Sequence, residues 1–222
     1  MSLPVTTAGM ATLDTTDQRS LAGIRLTGQT LLMATFTLVE TLAIGFWLTL
    51  VLTAPPLSGM SILGFALLAG GLLTKNVLTE AAINGLSLDV PAKRLLGISI
   101  AESFHWSVWL GIALAGDGVA GILVAGVLFA VVLVPHHTVE QNILRGAEPF
   151  ETVFDLETVG FSLVQAAGAT LWLLFAFEGA LFRDLLEVLG LWTVGPGAVG
   201  LGLLAVVLFI EHDIGLALAR RE

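Results

Sequence analysis

The sequence predicts an all-α, polytopic integral membrane protein whose six transmembrane helices form three repeated helical hairpins. Three observations carry that prediction. The 222 residues are 56% hydrophobic and 12% charged, about half the charged share of an ordinary soluble domain. The apolar residues fall in six runs of about twenty or more, long enough to cross a bilayer, with polar turns between them. One pattern also occurs three times. Phe36-Thr37-Leu38-Val39-Glu40 leads to Trp47-Leu48, Ile98-Ser99-Ile100-Ala101-Glu102 to Trp109-Leu110, and Phe161-Ser162-Leu163-Val164-Gln165 to Trp172-Leu173. In each copy the Trp stands seven residues after the Glu or Gln. Seven residues are about two helical turns, so the pair shares one helix face.

The elements follow in order. Residues 1–24 read as a polar N-terminal tail, Thr-rich up to Arg19 and carrying Asp14 and Asp17. No basic start leads into an apolar core there, so it is not a signal peptide, and a disordered or surface-lying tail is expected. Residues 25–222 form the transmembrane domain, with hairpins at about 29–84, 95–144 and 159–218. Ala54-Pro55-Pro56 stops the first span. The second, rich in Gly and Ala at its start, suits close packing in lipid and ends near Lys75, Asn76 and Glu80. Gly116-Asp117-Gly118 makes a tight turn inside the second hairpin. The third hairpin has a long connector, Glu178 to Trp192, that mixes charge with Leu and Phe and reads as a short interfacial helix.

Charge and composition exclude several classes. A net charge of −9 argues against a nucleic-acid surface. The absence of cysteine excludes disulfides, thiolate metal sites and iron–sulfur clusters. No glycine-rich phosphate loop is present. The acidic, lysine-poor exterior is that expected of a halophilic source. Arg19, Arg25, Lys93, Arg94, Arg145, Arg220 and Arg221 fall on the side of the termini, against Arg183 on the other. The positive-inside rule then places both termini of a multi-pass cell-membrane protein in the cytoplasm.

The even spans extend the repeat when aligned on their late glutamates. Thr79-Glu80 then matches Val139-Glu140 and Ile210-Glu211, each with Ile three residues after the Glu. Odd spans run away from the terminal side and even spans toward it. Glu40, Glu102, Gln165, Glu80, Glu140 and Glu211 therefore share one half of the bilayer with His105, His136, His137, His212, Lys75 and Asn76.

A charged side chain at mid-bilayer costs from about 3 to more than 10 kcal/mol. Five glutamates must therefore turn inward and meet protons, Lys75 or bound cations. For Lys75, a helix-locking pair with Glu40 is expected. Glu102-x-x-His105 puts a carboxylate and an imidazole on one helix face, a spacing used in di-iron bundles, and His137-x-x-Glu140 reverses it. The expected metal ligands are Glu40, Glu80, Glu102, His105, His136, His137, Glu140, Glu211 and His212, with Lys75, Asn76 and Gln165 in support. A thiolate-free donor set suits Fe, Mn or Zn. The expected function is a di-metal carboxylate/histidine oxidoreductase acting on a lipid-soluble substrate or quinone. Two alternatives use the same residues: a proton- or metal-cation transporter or channel, and a haem-binding or accessory subunit of a respiratory membrane complex. Partners beyond the lipid bilayer would be a second copy of the chain or such a complex.

Overall fold

A computed structural model describes residues 15–85 and 90–219, with side chains of the first helix described from Thr30 onward. The expected tail up to Asp14, connector residues 86–89 and the Arg220-Arg221 pair lie outside the described residues. Seven α-helices follow one another: α1 (Thr15–Thr53), α2 (Gly59–Asn84), α3 (Ala92–Ala115), α4 (Gly118–Leu144), α5 (Leu156–Phe177), the short α6 (Arg183–Val188) and α7 (Pro196–Ala219). Six of them are long and apolar enough to cross a membrane, with the first span covering Thr30–Thr53. The chain is helical from Thr15, so the part of the expected tail between Thr15 and residue 24 is the start of α1.

Local chemistry sets the ends. Ala54-Pro55-Pro56 follows the last turn of α1, and the Ser58 side chain accepts a bond from Ser61 N to cap α2. The Gly116-Asp117-Gly118 turn is tight because Gly116 and Gly121 meet backbone to backbone, which a side chain at either would block. Between α5 and α7 the chain makes two short 3₁₀ segments and α6. There Leu186 is buried while Leu181, Leu185 and Val188 are exposed. Phe182 stacks on Phe175 with ring centroids 4.0 Å apart, and the Arg183 guanidinium lies 4.7 Å over the Trp192 ring. The short helix expected in this connector is thus formed, with apolar side chains on its exposed side.

Each spanning helix packs on its predecessor and successor, and α7 returns to α1, so three hairpins (α1–α2, α3–α4, α5–α7) close a ring. Gly71 of α2 faces Ala43 of α1, and Gly126 of α4 faces Thr170 of α5, close enough that a larger residue would not fit.

Burial repeats three times around this ring. On the odd helices, Phe36, Ile98 and Phe161 are buried, as are Thr37, Ser99 and Ser162, and Trp47, Trp109 and Trp172. On the even spans (α2, α4 and α7) the buried sets are Leu68, Phe129 and Leu204, then Leu72, Leu133 and Leu208, then Asn76, His137 and His212. That pattern corrects the expected register of the even spans. Glu80 falls level with Gln141 and Leu216, and Glu140 with Thr79 and Gly215, while Glu211 falls level with Lys75 and His136. The three late glutamates are therefore not equivalent. Helix rotation, fixed by the four-residue apolar spacing, decides which residues match.

The interior divides into two halves. One is apolar throughout, built on Trp47, Trp106, Trp109, Trp172, Leu110 and Leu173. The other, toward the C-terminal ends of α2, α4 and α7, holds the buried polar side chains.

Candidate functional site

The polar half contains a layer of hydroxyls, each bonded to a side chain of a neighbouring even span (α2, α4 or α7). Asn76 Nδ2 on α2 donates to Ser99 Oγ on α3 at 2.9 Å. His137 Nδ1 on α4 and Ser162 Oγ on α5 are 2.7 Å apart. His212 Nδ1 on α7 and Thr37 Oγ1 on α1 are 2.9 Å apart. These three bonds link each hairpin to the next around the ring, at the repeated positions. Ser162 also donates its one hydroxyl hydrogen to Thr158 O at 2.7 Å, so His137 Nδ1 must be the donor in its bond. The hydroxyls thus fix how three polar side chains are turned. The sequence displayed them as part of the repeat but did not reveal their partners.

Lys75 sits inside this layer. Its Nζ lies 3.1 Å from Glu102 Oε2 and 3.3 Å from Glu140 Oε1, tying α2 to α3 and α4. The expected pair with Glu40 is not formed. Glu40 and Glu211 act on Lys75 at longer range, because Glu40 turns toward α7 instead. His136 Nε2 lies 3.9 Å from the same Glu102 oxygen.

A second cluster forms around His212. Its Nε2 lies 2.9 Å from Glu40 Oε2 and 3.2 Å from Glu211 Oε2. The approach to Glu40 is an ion-pair contact rather than an aligned hydrogen bond. The Phe36 ring meets the imidazole edge-on at 4.8 Å. With Nδ1 on Thr37 and Nε2 between two carboxylates, both ring nitrogens of His212 are engaged.

Other predicted residues stand apart from these clusters. Glu80 is fully buried but accepts from Val90 N at 3.3 Å, holding the α2–α3 connector rather than the centre. Gln165 is buried beside His137, although its Oε1 makes no aligned hydrogen bond. His105 is half-buried and meets the His136 ring edge-on at 5.0 Å, on the flank of the layer. Thr138 and Thr158, 2.9 Å apart, join α4 to α5. Asn142 fastens the α4–α5 connector through the carbonyls of Pro149 and Thr152. The sequence pattern marks none of these three, because single hydroxyls and amides near helix ends are common.

The geometry gives two charged clusters with buried carboxylates, imidazoles and one ammonium. Glu102 Oε1 and Glu40 Oε1 have no hydrogen-bond partner, so each cluster retains acceptors for protons or a cation. Among the described residues no three His, Asp or Glu side chains are placed to hold a metal ion.

The chain matches no family model, no curated protein and no solved structure. Fold and site together define a class: a six-span helical membrane protein with a carboxylate–imidazole–lysine layer buried in one half of the bundle.

Proposed function

We propose that the protein is a proton carrier, with both termini cytoplasmic and the buried layer as its proton-binding site. One observation carries the reading. Lys75 and Glu140 from one cluster, and Glu211 and His212 from the other, line a single cavity of about 20 Å³, close to the space that holds one water molecule. Charge balance supports it. Four buried glutamates of the layer, Glu40, Glu102, Glu140 and Glu211, share one buried lysine, and unpaired charge is costly in hydrocarbon. A resting layer therefore takes up protons, and a relay of carboxylates and imidazoles passes them on. The apolar half of the bundle, packed with Trp and Leu, closes the layer off from the other face. Movement of one hairpin against the others would alternate the access, as parallel-repeat carriers do. Lys93 and Arg94 at the start of α3 and Arg145 at the end of α4, all on one side, support the cytoplasmic assignment.

The di-metal oxidoreductase has less support. Lys75 holds Glu102 and Glu140, the two carboxylates that flank the Glu-x-x-His spacing, and His105 is turned toward the flank. Haem ligation by His105 with His137 or His212 has less support too: His105 lies on the outer flank of the layer, and His212 turns its Nε2 to Glu40 and Glu211.

The test is proton flux into proteoliposomes loaded with a pH-sensitive dye. The wild type should dissipate an imposed pH gradient, and Glu40→Gln should reduce the rate at least tenfold. Rates equal to those of empty liposomes would refute the carrier. Stoichiometric Fe, Mn or Zn, lost in Glu102→Ala, would replace it with the metal enzyme.

A further inference from the structure

The α3–α4 hairpin has a bilayer-facing groove unlike the other hollows on the bundle surface. It encloses about 480 Å³ and is lined by apolar residues such as Ile98, Val132 and Val139, together with His105, His136 and Arg94. A further hollow of about 290 Å³ continues it along the same helices, sharing His105 and Val132 and reaching Trp109. The hollows beside α1 and between α4 and α5 are lined without any ionisable side chain.

Two features indicate what the groove takes. His105 Nδ1 is buried with no hydrogen-bond partner, an unfavourable state at membrane depth unless something supplies one. Behind it, His136 is nine-tenths buried and reaches Glu102 at 3.9 Å. The histidine pair therefore joins the groove to the charged layer. Arg94 lies eleven residues before His105 on the same helix, about 16 Å away along the axis. Its guanidinium is held by Ala147 O at 3.0 Å and by Glu148.

We propose that this groove binds an isoprenoid quinone, its ring against His105 and His136 and its tail along the apolar hollow. A quinone ring is neutral and can lie at that depth, and its carbonyl oxygens accept hydrogen bonds from imidazole N–H groups. A phospholipid would leave its phosphate near Arg94 and place only acyl chain beside the histidines. This binding does not rest on the carrier reading above.

The experiment uses the full chain in nanodiscs of phosphatidylcholine, titrated with a ubiquinone bearing one isoprene unit. Tryptophan fluorescence is the readout, because Trp109 lines the adjoining hollow. Saturable quenching is expected. A Cβ at Gly97, which lines the groove, meets no atom within 4 Å, so Gly97→Leu has room at its Cβ and adds bulk to the groove. Gly97→Leu and His105→Leu should each weaken binding at least tenfold, and Glu40→Gln should bind as the wild type does. Quenching that rises linearly and equally in wild type and Gly97→Leu would show partitioning only and overturn the proposal. So would competition by phosphatidylglycerol, which marks a headgroup site. Proton flux without saturable quenching would sink the quinone site and leave the carrier intact, and the converse would do the reverse.

Discussion

Lys75 is the side chain on which most of the buried charge depends. Its ammonium lies within 3.3 Å of two carboxylates, from α3 and α4. Removing one partner of a buried ion pair costs about 3–5 kcal/mol, since the other charge is left unpaired. Lys75→Met is therefore expected to lower the melting temperature in detergent sharply. Adding Glu102→Gln should restore part of the loss, a coupling measured by the double-mutant cycle. The hydroxyls carry less. Thr37→Val, Ser99→Ala and Ser162→Ala should each cost about 0.5–1.5 kcal/mol, the range of hydrogen bonds between membrane helices. Thermal unfolding of the three variants side by side checks this, with near-equal losses expected from repeated positions. The acids were legible in the sequence because apolar bias does not place a glutamate in a hydrophobic run. Their partners were not. Whether Lys75 meets Glu40 or Glu102 depends on the rotation of α2 against its neighbours, which no spacing within α2 records.

At the level of the element, every span was legible, from Thr30–Thr53 to Pro196–Ala219, because run length and Pro or Gly stops act locally. The register between the even spans differs from the one their late glutamates suggest, although a signal for it exists. Leu68, Leu72 and Asn76 are spaced by four, as are Phe129, Leu133 and His137, and Leu204, Leu208 and His212. Those spacings mark the inward stripe, whereas single glutamates need not occupy the same position in each copy. Helix α4 also contains Pro135 immediately before His136 and His137. Proline donates no backbone hydrogen bond, so the carbonyl one turn earlier is freed and the helix loosens there. The close α1–α2 contact makes a sharper prediction. Gly71→Val would force a side chain into Ala43, separating the first hairpin. A loss of about 1–3 kcal/mol is expected, seen as a lower unfolding midpoint, while Gly70→Val beside it meets no atom within 4 Å and should be tolerated.

The whole molecule combines a three-copy frame with chemistry that differs in each copy. Lys75, His136 and Glu211 occupy one repeated position, and Glu40, Glu102 and Gln165 another. Such divergence gives the layer a direction around the ring that identical hairpins would lack. Topology is open to a direct check, because the chain contains no cysteine. A cysteine placed at Asp117 should react with an impermeant maleimide from the outside of intact cells, and one at Glu151 only after lysis. Labelling of both from one side would contradict the six-span arrangement.

Because α7 packs against α1, the last span finishes beside the start of the first. The order in which the hairpins are strung is thus only one of three equivalent wirings. A circularly permuted gene that begins with α3, and runs from α7 through a flexible tether into α1, would present every helix with its original neighbours. Its product should assemble the same bundle.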